Sequence, residues 1–188
     1  MNLPNQITIA RLVVSLIVFV LLSLRQFAGG LIFFLIAALT DWLDGYLARK
    51  HGLITQLGRI MDPFADKILI SGAFIFLAAE PDSRITAWMA VLVVGRELLV
   101  TALRSFLEQQ GADFSATMAG KLKMVFQCAA VTLSLWVLSR GPTVVSPTLL
   151  QLTSLVVWLA VISTIYSGVG YVVSATRLLR RPTGESPG

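Results

Sequence analysis

Cysteine, histidine and charged residues are scarce in this 188-residue chain, and this scarcity limits the kinds of site and partner that the protein can have. Only one cysteine and one histidine occur, and 13% of the residues are charged. A single cysteine excludes an internal disulfide. The single histidine, His51, lies in a predicted turn, so no Ser-His-Asp arrangement for covalent catalysis is indicated. There is no block of basic residues, so the net charge of +5 does not indicate a nucleic-acid partner.

Apolar residues, by contrast, make up 56% of the chain, and the mean hydropathy is +0.80. Long apolar runs recur from end to end, more than a soluble domain of this size could bury. We therefore predict an all-α polytopic membrane protein with six transmembrane helices, over residues 7–24, 30–49, 58–79, 85–108, 117–138 and 149–179. We expect a short interfacial segment at residues 1–6, one membrane domain over 1–181 and a polar tail over 182–188. The first apolar run has no small-residue cleavage site, so we expect it to be retained as a span.

Basic residues mark one set of the predicted span ends. That set comprises Arg49, Lys50, Arg59, Lys121, Lys123, Arg177, Arg180 and Arg181, whereas only Arg25, Arg84 and Arg140 lie at the other ends. Since cytoplasmic loops carry an excess of Lys and Arg, both termini are predicted to face the cytoplasm. We expect the chain to be integral to a membrane.

Four aspartates interrupt the second and third apolar runs, namely Asp41, Asp44, Asp62 and Asp66. A charge inside a membrane costs free energy, and neighbouring carboxylates also repel one another. A bound cation would neutralise them, and oxygen ligands favour Mg²⁺, Mn²⁺ or Ca²⁺ over zinc or copper. Residues three or four apart share a helix face, so each pair of aspartates forms a stripe, and antiparallel helices would let the stripes face each other.

Other interpretations of these residues stay open at this point. The small residues Gly45, Ala48 and Gly58 leave room for a ligand between the helices, or simply allow close helix packing. The acids could form a structural ion-pair network with Lys67, Arg49 and Arg59. A divalent metal transporter and a non-catalytic lipid-binding scaffold are alternatives from other functional classes.

The aspartates also carry a family resemblance. The run DWLDGYLAR at 41–49, followed after eight residues by GRIMDPFAD at 58–66, resembles the D-x-x-D-G-x-x-A-R…G-x-x-x-D-x-x-x-D signature of the CDP-alcohol phosphotransferase family. The resemblance implies a six-span homodimeric enzyme that uses a divalent metal, two Mg²⁺ or alternatively Mn²⁺, to transfer a phosphatidyl group from a CDP-linked lipid. By position, it makes Asp41, Asp44, Asp62 and Asp66 metal ligands, with Asp66 also the general base. It assigns the CDP-lipid pocket to Asn5, Thr8, Gly45, Ala48, Arg49 and Gly58.

A narrower resemblance, to the bacterial phosphatidylglycerophosphate synthases, covers most of the chain. It rests on LPNQITIAR at 3–11, on Gly95-Arg96-Glu97 with Arg104, and on Gly120-Lys121-Leu122-Lys123 with Gln127. Met124 and Gly170 depart from that subfamily, in which Thr and Asp are expected. The resemblance implies CDP-diacylglycerol and sn-glycerol 3-phosphate as substrates, with phosphatidylglycerophosphate and CMP as products.

The same resemblance assigns the phosphate of the acceptor to Arg96, Arg104, Lys121 and Lys123. Alternatively, Arg96 pairs with Glu97, and such a pair would need a third partner because adjacent helical residues point about 100° apart. Lys121 and Lys123 could be plain positive-inside residues. The acceptor could also be inositol phosphate, serine or phosphatidylglycerol.

Overall fold

The computed structural model of the protein is built from helices throughout its described residues. It describes the backbone of residues 3–51, 56–109, 118–141 and 143–179, and side chains within 9–40, 67–107, 120, 122–141 and 143–176. The helices are α1 (Leu3–Ser23), α2 (Phe27–His51), α3 (Gln56–Ala78), α4 (Ala87–Gln109), α5 (Met118–Arg140) and α6 (Pro147–Leu179), with a short 3₁₀ turn at Pro81–Ser83. The predicted all-α fold class and the positions of the six helices are confirmed.

Local turn chemistry explains where the helices begin and end. Gly141 follows α5 with φ of 85°, a left-handed conformation that glycine adopts without strain. Ser146 accepts a hydrogen bond from the backbone N–H of Leu149 at 3.3 Å, and Pro147 begins α6 with its fixed φ. The predicted interfacial segment differs, because from Leu3 onward it is continuous with α1. Its location at the membrane interface stays a prediction.

The helices pack side by side around one apolar core. Helix α1 packs against α2 and α3, α5 contacts α2, α3 and α6, and α4 contacts both α3 and α6. The core is filled by residues such as Val18, Phe34, Phe74, Val131 and Val157. At one end of the bundle, the Ser134 hydroxyl of α5 donates a hydrogen bond of 2.7 Å to the Ser83 carbonyl of the 3₁₀ turn. The other end contains the candidate site.

The outward faces of the helices are apolar. Large hydrophobic side chains are exposed on every helix, including Leu16, Leu39, Ile75, Val91, Val125 and Ile162. Within the described residues, two stretches are long and apolar enough to cross a bilayer, Leu122–Arg140 and Pro147–Thr176. The apolar stretches Ile9–Ser23, Phe27–Thr40 and Lys67–Ala78 are shorter. Exposed apolar patches of this extent favour contact with lipid.

Candidate active site

The four aspartates occupy two consecutive helices, at the ends that the connection between α2 and α3 joins. Asp41 and Asp44 lie in α2, and Asp62 and Asp66 lie in α3. Their spacings of three and four residues place each pair on one face of its helix. These residues fall outside the part of the chain whose side chains the structure describes. So do Asn5, Thr8, Gly45, Ala48, Arg49, Gly58 and Lys121.

A small cavity is lined by residues of both α2 and α3. This cavity, of about 30 Å³, is lined by Ala37 and Ala38 of α2 and by Leu69 and Ile70 of α3, together with Arg11, Met124 and Cys128. Ala38 precedes Asp41 by three residues, and Ile70 follows Asp66 by four, so both share faces with the aspartates. Residues that share helix faces with the aspartates, Ala38 and Ile70, therefore line one cavity together with side chains of α1 and α5.

This donor set suits a divalent cation. Carboxylates from α2 and α3 would supply the hard oxygen ligands that Mg²⁺ and Mn²⁺ prefer. Among the side chains that the structure describes, no other group of three or more His, Cys, Asp or Glu residues could hold a metal ion. The metal-binding role of the four aspartates stays a prediction.

A second, larger cavity of about 320 Å³ lies beside these faces and is lined by α3, α4, α5 and α6. Its walls include four basic side chains and one carboxylate. The lining residues are Lys67, Ile70, Arg96, Glu97, Val100, Thr101, Arg104, Gly120, Lys123, Met124, Gln127 and Tyr171. We call it the cationic cavity. A cavity of this size, with a few convergent polar groups, is typical of a small-molecule site.

Glu97 bridges two of the cations in the cationic cavity. Arg96 Nη1 lies 3.3 Å from Glu97 Oε1 and 3.4 Å from Oε2, and Lys123 Nζ also donates to Glu97 Oε1. All three side chains are less than 10% exposed. The pairing of Arg96 with its neighbour, considered above as an alternative, is therefore present, and Lys123 is the third partner that it requires.

Tyr171 of α6 contacts both arginines. The Arg96 guanidinium carbon lies 5.4 Å from the centre of the Tyr171 ring, and that of Arg104 lies 5.9 Å from it. Arg104 Nη2 also donates to the Tyr171 hydroxyl at 3.2 Å. Among the described residues, the Nε atoms of Arg96 and Arg104 are buried without a hydrogen-bond partner. A buried donor without a partner costs free energy, and an anion in the cavity could supply one.

Two further contacts complete the walls. Lys67 Nζ donates to the Thr101 hydroxyl at 2.5 Å, which links α3 to α4. Gln127 Nε2 donates to the Thr164 hydroxyl at 3.0 Å, which links α5 to α6. The cavity is therefore held by polar contacts between helices as well as by apolar packing.

The cationic cavity adjoins the aspartate face of α3. Ile70 and Met124 line both cavities and so form the wall between them. Asp62, Asp66 and Ile70 follow one another at intervals of four residues and share one helix face. Lys67, which lines the cationic cavity, directly follows Asp66 in the chain. The cationic cavity is thus lined by a residue, Ile70, on the helix face that carries Asp62 and Asp66.

The structure brings together three of the four predicted acceptor-binding residues, Arg96, Arg104 and Lys123, around one cavity. Sequence reasoning gave no cavity role to Lys67, Thr101 or Tyr171. A signal for Tyr171 was available, because Thr164, Ser167 and Tyr171 recur at intervals of three and four and so share one face of α6. The structure buries all three side chains.

Comparisons with known proteins agree with this architecture. The CDP-alcohol phosphatidyltransferase family model matches residues 1–166. The chain belongs to this family. The resemblance seen in the aspartate motif is therefore confirmed, and the chain is an enzyme of the family and not a metal transporter.

Curated relatives share most of their length with this family member. A CDP-diacylglycerol–glycerol-3-phosphate 3-phosphatidyltransferase of Bacillus subtilis is 37% identical over 187 residues, covering 90% of this chain and 93% of the relative. Proteins with the same name from Rickettsia bellii and Escherichia coli K12 are 35% and 32% identical, over 90% and 72% of this chain and 93% and 77% of their own lengths.

Solved structures show the same fold. Phosphatidylinositol phosphate synthase of Mycobacterium tuberculosis, in its apo form, aligns with a TM-score of 0.69 at 17% identity and covers 100% of this chain and 94% of its own. The same protein has been solved with CDP-DAG bound, and also with manganese and citrate. At this identity the likeness establishes the fold alone.

Proposed function

We propose that the protein transfers the phosphatidyl group of CDP-diacylglycerol to sn-glycerol 3-phosphate, giving phosphatidylglycerophosphate and CMP for phospholipid biosynthesis. The observation that carries this proposal is the cationic cavity, where Arg96, Arg104 and Lys123 converge beside the aspartate face of α3. Its basic walls suit the phosphate of a small acceptor. The two relatives whose alignments cover 90% of this chain carry names that give the same substrates.

The donor lipid belongs on the aspartate side of the site. Asp41, Asp44, Asp62 and Asp66 would hold a divalent metal, which we propose to be two Mg²⁺ ions, with Mn²⁺ as a substitute. When bound, the ions neutralise charge on the diphosphate and on the leaving group. We assign the CDP moiety to a pocket formed by Asn5, Thr8, Gly45, Ala48, Arg49 and Gly58.

The chain's own residues then orient the acceptor and receive its proton. Arg96, Arg104, Lys121 and Lys123 hold the acceptor phosphate, so that the reacting one of the acceptor's two hydroxyl groups points towards Asp66. Asp66 takes the hydroxyl proton as the oxygen forms its bond to phosphorus, and the bond from phosphorus to CMP breaks. Because this kind of transfer depends mainly on positioning and charge, no covalent enzyme intermediate is needed.

The experiment that tests this function measures CMP release by purified protein with CDP-diacylglycerol, Mg²⁺ and one acceptor at a time. Glycerol 3-phosphate should give the highest kcat/KM among glycerol 3-phosphate, inositol phosphate, serine and phosphatidylglycerol. A preference for one of the other three would assign the chain to a sibling activity of the same family. No CMP release with any of them would refute the proposed function.

We also propose that all six helices span the membrane as one domain over residues 1–181, with residues 182–188 as a polar tail. The exposed apolar side chains on every helix support this arrangement. The basic residues within 49–59, 121–123 and 177–181 lie at the cytoplasmic side of a bacterial inner membrane. Both termini and the active site then face the cytoplasm. We propose a homodimer, as the family resemblance implies.

A further inference from the structure

Helix α6 contributes one side chain to the cationic cavity, and that side chain contacts both cavity arginines. Tyr171 is 3% exposed and lies deep in the bundle. Its ring faces the guanidinium groups of Arg96 and Arg104 at 5.4 and 5.9 Å, and its hydroxyl accepts the hydrogen bond from Arg104. These arginines come from α4, so Tyr171 connects the anion-binding side chains to a different helix.

The two arginines differ in their other contacts. Arg96 is also paired with Glu97, which gives its guanidinium a second partner. For Arg104, the contacts that the structure describes are both with Tyr171, one through the ring and one through the hydroxyl. An arginine side chain has several rotatable bonds, and ordering it costs conformational entropy. A partner that fixes the guanidinium before the ligand arrives lowers the cost of binding.

We propose that Tyr171 is a positioning residue that orients Arg104, and to a lesser degree Arg96, towards the acceptor phosphate. This inference rests on the proposed function, because it takes the cationic cavity as the site of a phosphate-bearing acceptor. Tyr171 itself needs no contact with the acceptor. The hydroxyl sets the direction of the Arg104 fork, and the ring restrains both guanidinium groups through cation–π contacts.

The test is a set of steady-state measurements on full-length protein in detergent, with CDP-diacylglycerol, Mg²⁺ and glycerol 3-phosphate. Tyr171→Phe keeps the ring and removes the hydroxyl. It should raise the acceptor KM about 2- to 12-fold, which corresponds to the usual net contribution of one hydrogen bond. Tyr171→Leu also removes the ring and should raise it further. The KM for CDP-diacylglycerol should change less than about twofold.

Tyr166→Phe is the matched control, because Tyr166 lies on the same helix but is 73% exposed. It should behave as the wild type does. A double-mutant cycle then asks whether Tyr171 acts through Arg104. In an Arg104→Ala background, Tyr171→Phe should change the acceptor KM by less than about twofold. If Arg104→Ala leaves too little turnover, Arg104→Lys takes its place, and the effect of Tyr171→Phe should again shrink.

Three results would overturn the inference. One is a Tyr171→Phe variant indistinguishable from Tyr166→Phe, and another is an effect that persists undiminished in the Arg104 backgrounds. The third is an equal rise in both substrate KM values, which would indicate a merely structural role. The proposed function is judged separately on the wild type, before any variant is made. If inositol phosphate is the better acceptor, the same cycle is run with it, since that acceptor also presents a phosphate.

Discussion

Replacing Arg96 with alanine should impair use of the acceptor without unfolding the protein. The Arg96 side chain is 8% exposed and shares Glu97 with Lys123. When Arg96 is removed, the Glu97 carboxylate keeps Lys123 as its partner, so no buried carboxylate is left unpaired. The Arg96–Glu97 distances, 3.3 and 3.4 Å, are at the long end of the hydrogen-bond range. The main loss should therefore be in ligand binding.

The size of that loss follows from the hydrogen bonds that Arg96 could give a phosphate. A hydrogen bond between charged groups contributes about 1.5–3 kcal/mol. This corresponds to a fall of about 10- to 150-fold in kcat/KM for glycerol 3-phosphate. Arg96→Lys should recover only part of it, because an ammonium lacks the planar fork that matches phosphate oxygens.

The assay follows CMP release while each substrate is varied in turn. The KM for CDP-diacylglycerol should stay near that of the wild type, because the donor is assigned to the aspartate side of the site. Arg140→Ala is the matched control, since Arg140 is exposed at the far end of α5, over the ring of Trp136. The reasoning is refuted if Arg96→Ala raises the KM for CDP-diacylglycerol but not that for the acceptor.

Other substitutions test other parts of the same account. Asp66→Asn should abolish turnover while the protein still folds, because an amide cannot take the acceptor's proton; near-normal CMP release would rule out Asp66 as the base. Glu97→Gln should lower stability by about 1–3 kcal/mol, because it leaves buried cations without their carboxylate. Added glycerol 3-phosphate should raise the melting temperature of the Glu97→Gln variant more than that of the wild type. An equal rise would argue against one site shared by the Glu97 carboxylate and the acceptor phosphate. Gly72→Ala should destabilise the bundle by about 1–3 kcal/mol, because the added Cβ would overlap the Phe19 ring, whereas Gly95→Ala meets no atom within 4 Å and should be tolerated in thermal unfolding. Single cysteines at positions 2 and 186 of an otherwise cysteine-free chain should resist an impermeant thiol reagent in intact cells, and labelling of either would refute the cytoplasmic termini.

The helices could be predicted closely from the sequence because two independent signals coincide. Apolar runs define the helix bodies, and residues with restricted or unusual backbone conformations interrupt them, as at Pro81 and Gly141. The bundle's packing order was harder to predict. Apolar periodicity shows which face of a helix is buried, but it does not say which neighbour covers that face. The contacts of α5 with α2, α3 and α6 could therefore not be predicted from the apolar pattern of α5.

The site was predictable where its residues share one helix. Arg96 and Arg104 are eight residues apart, with Val100 between them, and all three line the cationic cavity. Contacts between helices gave weaker signals. Lys67 meets Thr101 of α4, and Tyr171 meets Arg104, only because the bundle brings distant segments together. Helix geometry required a third partner for the Arg96–Glu97 pair. That this partner is Lys123 depends on the tertiary arrangement, which brings the long Lys123 side chain of α5 to Glu97 of α4.

The charge of the cationic cavity bears on which acceptor the enzyme uses. Its described walls carry four cations, Lys67, Arg96, Arg104 and Lys123, and one carboxylate, Glu97, which leaves three positive charges. Clustered cations inside a membrane bundle are costly unless anions meet them. Binding a phosphate monoester with two negative charges would lower the net charge of the cavity to +1, whereas binding zwitterionic serine would leave it at +3. The cavity therefore favours a phosphorylated acceptor over serine. Asp66, which lies on the adjacent face of α3 one turn from Ile70, would then receive the proton of that acceptor's hydroxyl.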